Sequence, residues 1–230
     1  MKQDLILLHG ALGSKLQLAP LKSELENDFN VLSFNFEGHG DRPTDGDLSI
    51  HQFSENLKEF IVVNGLTQPN IFGYSMGGYV ALYLEANNTN SIGKVMTLGT
   101  KLNWTPEGAS KEVRMLNPSI IEEKVPRFAE HLSKMHSPND WKSNMLKTAE
   151  MMSAMGKNPP LNDGLYSKVK SEVLLTLGEK DQMVSLNETK HVLGRLPNAK
   201  LLLFPDFEHP IEKVNIDQLA IGIKKFFAVD

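Results

Sequence analysis

The chain of 230 residues contains no cysteine, which removes disulfides and thiolate metal sites and leaves nothing that calls for an oxidising compartment. It has no run of about 18 apolar residues, so no membrane span is expected. The opening "MKQDLILLHG" has an apolar stretch too short for a secretory leader and no small-residue cleavage site. It also lacks a basic footprint: the formal net charge is -4 and no Lys/Arg run stands out, so nucleic acid is not an expected partner. There is no internal repeat and no low-complexity segment. These absences predict a soluble, cytoplasmic protein with one core, and the length is enough to bury that core without staples.

What is present is a rhythm. "DLILLHG" (Asp4 to Gly10) is a short apolar run closed by glycine, and "LKSELENDF" follows at helical spacing. "NVLSFNF" precedes "SIHQFSENLKEFIVV", "NIFGY" precedes "MGGYVALYLEA", and "IGKVMTLGT" comes next. Continuous apolar strands alternating with helices predict an α/β fold, a mostly parallel sheet with helices on both faces. The rhythm stops after Thr100. From about Leu102 to Leu161 no strand-like run occurs, and "EEKVPRFAEHLSKM" and "SNMLKTAEMMSAM" read as helices. After "NPPLNDG" the alternation resumes with "EVLLTLG", "NETKHVLGRL", "AKLLLFP" and "IDQLAIGIKKFFAV". The expected organisation is a core of residues 1–101 and 162–230 with a helical cap inserted at 102–161.

Chemistry concentrates where strands end. Ser75 stands between two glycines in "Gly73-Tyr74-Ser75-Met76-Gly77", at the change from strand to helix, where neither residue type favours the element interior. The pattern is G-x-S-x-G, a turn tight enough to expose a strained serine. A serine hydroxyl needs a base to take its proton and a third group to hold that base. Asp181 in "TLGEKDQMV" and His209 in "LFPDFEHP" follow later strands, and loops after parallel strands share one sheet edge. Pro210 keeps His209 extended, ahead of the last helix. Asp206, three residues before His209, competes with Asp181 for the acid; Asp181 is preferred because it approaches from a neighbouring loop.

With "HGALGS", "EGHGDRP", "GYSMGG", "LGEKDQMV" and "FEHP" in this order, the chain resembles the α/β-hydrolase superfamily over nearly its whole length. The resemblance implies Ser75 as nucleophile, Asp181 as acid, His209 as base, and an oxyanion hole from the backbone N–H groups of Ala11 and Met76. Members often carry two strands ahead of the "HG" strand. This chain starts at that strand, so a sheet smaller by a strand pair is expected.

The other candidates follow from position. His9 and His39, beside glycines, are expected to be loop residues that hydrogen-bond backbone and shape the pocket rim, with His9 also a candidate substrate contact. His51 and His191 read as helix surface, and His131 and His136 as solvent-facing residues of the cap. Met115, Met135, Met145, Met151, Met152 and Met155 are expected to pack the cap onto the sheet domain or to roof the serine, with Met151 and Met152 the candidates to touch the substrate. No His/carboxylate spacing fits a metal, and "GALGSK" does not have phosphate-loop spacing. The expected activity is hydrolysis of a small to medium carboxylic ester or thioester with an apolar acyl group, without cofactor. The same residues could instead serve a C–C bond hydrolase, a lyase of quinone biosynthesis or a non-catalytic small-molecule receptor. Oligomeric state is not readable.

Overall fold

The computed structural model describes residues 2–228. Met1, Val229 and Asp230, which end the expected core segments, lie outside the described residues. Strands β1 (Asp4–Leu8), β2 (Asn30–Ser33), β3 (Asn70–Tyr74), β4 (Val95–Leu98), β5 (Val173–Gly178) and β6 (Ala199–Phe204) form one sheet, all parallel, in the order β2-β1-β3-β4-β5-β6. The helices are α1 (Ala19–Leu25), α2 (Ile50–Val63), α3 (Met76–Asn87), α4 (Pro106–Val113), α5 (Pro118–Lys124), α6 (Pro126–His136), α7 (Trp141–Lys157), α8 (Asp163–Tyr166), α9 (Leu186–Leu193) and α10 (Ile216–Phe227). None is long and apolar enough to cross a membrane among the described residues.

The inner strands are mainly apolar because helices cover both faces of the sheet, and β4 and β5 are buried along their whole length, whereas the edge strands β2 and β6 are partly exposed. Successive side chains point to opposite faces. Ile6 and Leu8 of β1 therefore join Ile71, Val95 and the helix residues Phe53, Leu57 and Val80 in one core layer. Leu5 and Leu7 join Phe72, Met96 and the helix residues Leu21, Leu25, Leu219 and Ile223 in the other. From β1 the chain steps to β2 on one side and then to β3 on the other, so the strand order reverses around β1. The loops after β1 and β3 part there and leave a crevice at the carboxyl ends of the strands.

Between β4 and β5 the chain is helical, but in more pieces than the sequence predicts. The expected helix over "EEKVPRFAEHLSKM" is broken at Val125, whose φ of -137° and ψ of 57° are not helical. Pro126 has no N–H to continue α5 and pushes the residue before it out of the helical region, so it starts α6 instead. Helix α4 has no counterpart in the periodicity reading. Its start is nonetheless written locally, since Thr105 Oγ1 accepts the Gly108 N–H at 3.1 Å and Pro106 occupies the first turn. Ile121, Ala129, Leu132, Trp141 and Met145 form a small apolar cluster of their own among α5, α6 and α7. Met151 and Met155 of α7 belong instead to the core layer that contains α3.

Candidate active site

Ser75 directly precedes α3 with φ 50° and ψ -115°, in the half of backbone space that costs a non-glycine residue about 1–3 kcal/mol. Main-chain bonds on both sides hold it there. Its N–H donates to Leu98 O at 2.8 Å, and its carbonyl accepts from Thr100 Oγ1 at 2.9 Å and from the Gly78 N–H at 3.1 Å. A serine in this position ordinarily caps the helix, yet the Ser75 side chain makes no capping bond. Its hydroxyl is left for other work. The glycine of the elbow is dictated by packing: a Cβ on Gly77 would lie 2.5 Å from the Leu8 carbonyl oxygen of β1.

Two further loops on this sheet edge bring an acid and an imidazole together. Asp181 Oδ2 accepts from His209 Nδ1 at 2.8 Å, while Oδ1 accepts the N–H groups of Met183 and Val184 at 2.8 and 2.9 Å. With a carboxylate at Nδ1, that nitrogen carries the ring proton and Nε2 is the basic one. The Tyr74 hydroxyl donates to His209 O at 3.0 Å, so the residue preceding the serine anchors the histidine's loop. Gly99 directly follows β4 with φ 58°, and a Cβ there would lie 3.0 Å from Asp181 Oδ2 and 3.3 Å from His209 Nδ1. Only a residue without a side chain lets the pair lie across the end of β4. Asp206 points away, paired with Lys180 at 2.8 Å and with its side chain 79% exposed.

A small cavity of about 40 Å³ lies over Ser75. Ala11 and Met76 line it beside the serine, and Ile50, Trp104, Met151, Met152 and Met155 supply apolar walls. Met76 is the first residue of α3, so its N–H has no acceptor within the helix. Ala11 is the second residue of a turn closed by Gly13 N–H to Gly10 O at 3.2 Å, and among the described residues its own N–H has no backbone acceptor. The one cation in the lining, Lys101, is occupied by Glu112 at 3.5 Å and Glu188 at 3.9 Å.

Several expectations are corrected here. His9 does not face the cavity: it is fully buried, its Nδ1–H donates to Gly10 O at 2.8 Å, and its Nε2 accepts the Phe36 N–H at 3.2 Å. Burial lowers its pKa to about 4, so it is neutral and has no capacity left for a substrate. His39 is likewise buried and is not at a rim. His136, expected to face solvent, is buried at the end of α6. His51, His131 and His191 are exposed. Of the cap methionines, Met145 packs inside the cap cluster, Met115 is exposed, and Met135 lines a separate groove with Leu16 and Pro20. Thr100, Lys101 and Trp104 lie around the serine without having been singled out from the sequence. Their signal was position, directly after an apolar strand in a parallel sheet. Among the described residues no group of three or more His, Cys, Asp or Glu side chains gathers as metal ligands would.

Comparison with known proteins adds an independent line. The family described as alpha/beta hydrolase fold matches residues 5–119, a segment that contains Ser75 but neither Asp181 nor His209. Esterase YbfF of Escherichia coli K12 is 27% identical over 94 residues, covering 41% of this chain and 37% of that protein. The 2-succinyl-6-hydroxy-2,4-cyclohexadiene-1-carboxylate synthase of Yersinia enterocolitica is 33% identical over 79 residues, covering 34% of this chain and 28% of that one. These alignments thus span about a third of the relatives' own length. Among solved structures, the 2-hydroxy-6-oxo-6-phenylhexa-2,4-dienoate hydrolase of Rhodococcus sp. RHA1 superposes with a TM-score of 0.80 at 18% identity, covering 98% of this chain and 90% of that one. At that identity the likeness bears on the fold alone.

Proposed function

The chain belongs to the α/β-hydrolase family, and from that premise we propose that it is a serine hydrolase acting on a small to medium carboxylic ester or thioester with an apolar acyl group. Ser75 Oγ attacks the carbonyl carbon while His209 Nε2 takes the hydroxyl proton. The N–H groups of Ala11 and Met76 receive the oxyanion, the latter at a helix N-terminus where negative charge is favoured. Collapse of the tetrahedral adduct breaks the bond to the leaving oxygen or sulfur, which takes the proton from His209. Asp181 keeps the imidazole in the required tautomer and stabilises its charged form. Water, deprotonated by His209, then releases the acid from the acyl-enzyme. Residues 102–161 act as a cap, and its apolar walls accept the acyl chain.

The observation that carries this reading is the part-buried Asp181–His209 pair on the same sheet edge as a strained serine whose hydroxyl does no capping. The absence of cysteine fits a reducing cytoplasm. A fluorophosphonate should label the protein once, at Ser75, and Ser75→Ala should abolish the label and lower ester turnover by about 10⁴-fold or more. Labelling of the alanine variant refutes the assignment. A second reading, a lyase or C–C bond hydrolase using the same residues, draws on the 33% identical synthase segment. Inertness of the labelled enzyme toward simple aryl esters would favour it.

A further inference from the structure

Three histidines that take no part in the proposed chemistry form a buried group. The ring centroids of His9 and His39 are 5.2 Å apart, and those of His39 and His136 are 5.9 Å apart. They join the loop after β1, the loop after β2 and the end of α6, three segments distant in sequence. Building on the serine-hydrolase reading, we propose that His136 is a positioning residue: it holds the turn Gly10–Gly13 from the cap side and so sets the direction of the Ala11 N–H.

The argument runs through peptide planes, in which a carbonyl and the following N–H are locked in opposite directions. The Ala11 N–H shares its plane with the Gly10 carbonyl, and the Gly13 N–H shares its plane with the Leu12 carbonyl. His136 Nε2–H donates to Leu12 O at 3.1 Å, across 124 residues. That fixes the plane whose other edge, the Gly13 N–H, donates to Gly10 O at 3.2 Å. Gly10 O in turn belongs to the plane that carries the Ala11 N–H, a plane that His9 Nδ1–H holds from the core side at 2.8 Å. Holding Leu12 O therefore restrains the proposed oxyanion donor one hydrogen bond away.

The turn needs this support. Leu12 occupies its third position with φ 56°, where glycine is the usual residue and the Cβ of a leucine is strained against its own backbone. Its side chain packs against the cap's own cluster around Leu132 and Trp141, a second contact from the same direction. The other ring nitrogen, Nδ1, accepts the Gly40 N–H at 3.0 Å, which sets the neutral tautomer with the proton on Nε2. Asn139 Nδ2 donates to Gly40 O at 2.8 Å and to Arg42 O at 3.0 Å, and Asn144 Nδ2 donates to Gly38 O at 2.7 Å. The end of α6 and the start of α7 are thus clamped to the loop after β2, and His136 is the arm that extends from this clamp to the oxyanion turn.

Two substitutions separate the arms. His136→Gln places an amide N–H near the position of Nε2 and keeps a donor for Leu12 O. His136→Asn places a carbonyl near Nδ1, keeps the Gly40 contact and loses the Leu12 contact. Hydrogen exchange followed by mass spectrometry on the peptide spanning residues 10–14 reads the turn without reference to turnover. The expected result is faster exchange in the asparagine variant and near-native exchange in the glutamine variant. On an activated aryl ester, His136→Asn should lose about tenfold or more in kcat with KM nearly unchanged, a fraction of the 10²–10³ lost when an oxyanion donor is removed outright. His136→Gln should stay within about threefold of the parent. Equal behaviour of the two variants, or loss of protection throughout the chain in the glutamine variant, overturns the proposal and makes His136 a packing residue. If the parent hydrolyses no ester, the serine-hydrolase reading fails while the exchange result still decides whether His136 holds the turn.

Discussion

His209 donates from Nδ1 to Asp181 Oδ2 across 2.8 Å, and the carboxylate that receives it is wholly buried. Its second oxygen is saturated by two backbone N–H groups, so the acid cannot swing away without leaving donors unpaired. Asp206, on the histidine's own loop, has no such hold and pairs with Lys180 at the surface.

Asp181→Asn should therefore lower kcat on an activated ester by at least about 10²-fold, because the amide keeps the shape but favours the wrong imidazole tautomer. Asp206→Asn should lose less than about tenfold, since an exposed ion pair contributes little to the structure. Both are measured at pH 7 to 8 with folding verified by circular dichroism. The reverse ranking would transfer the acid's role to Asp206.

The walls of the cavity should sort acyl groups by length. Met152 lines it while remaining partly exposed, whereas Met151 also belongs to the main core. Met152→Ala should shift the preferred chain toward longer acyl groups with limited loss on acetate esters, each accommodated methylene being worth about 0.8 kcal/mol. Met151→Ala should also cost about 2–5 kcal/mol of stability, as truncating a buried side chain does. A series of p-nitrophenyl esters and a urea melt of each variant check both statements. An unchanged chain-length profile for Met152→Ala would leave that residue a packing role only.

Acid should destabilise the fold through the buried histidines. Burial pulls His9 from 6.5 to about 4 and lowers His39 and His136 as well. Above pH 6.5 neither the folded nor the unfolded chain binds these protons, and the full stability is present. As pH falls toward 4 the unfolded chain takes up protons that the folded one refuses, so stability is lost across that window. His9 alone accounts for about 3 kcal/mol, and the other two add with the same sign. Urea midpoints measured from pH 7.5 down to pH 4.5 should fall steadily; a flat profile would contradict neutral burial of this cluster.

Much of this protein could be read from local pattern. Apolar runs, glycine stops and helical spacing are properties of a few consecutive residues, and they determined the alternation of the six strands with the helices that cover the sheet. Ser75 stood out for the same reason, since a serine between glycines at the change from strand to helix is a local anomaly. The halt at Val125 was also present, in Pro126, but helical spacing on both sides masked it. Periodicity locates an apolar face but does not say what covers it. His131 and His136 lie on one short helix, and only the docking of α6 on the loops after β1 and β2 leaves the first exposed and buries the second. The glycine beside His9 points to backbone hydrogen bonds, and His9 makes them, but only the fold turns its ring inward between that loop and the segment after β2 and away from the cavity. The choice between Asp181 and Asp206, the sorting of the methionines, and the hold of His136 on Leu12 all depend on contacts between separate elements. Such contacts carry no signature in sequence spacing, because they arise only when strand order and helix docking have brought distant loops to one edge of the sheet. Local chemistry thus determined which elements form and where a reactive serine can stand, and tertiary packing alone decided which distant side chains surround it and which are held away.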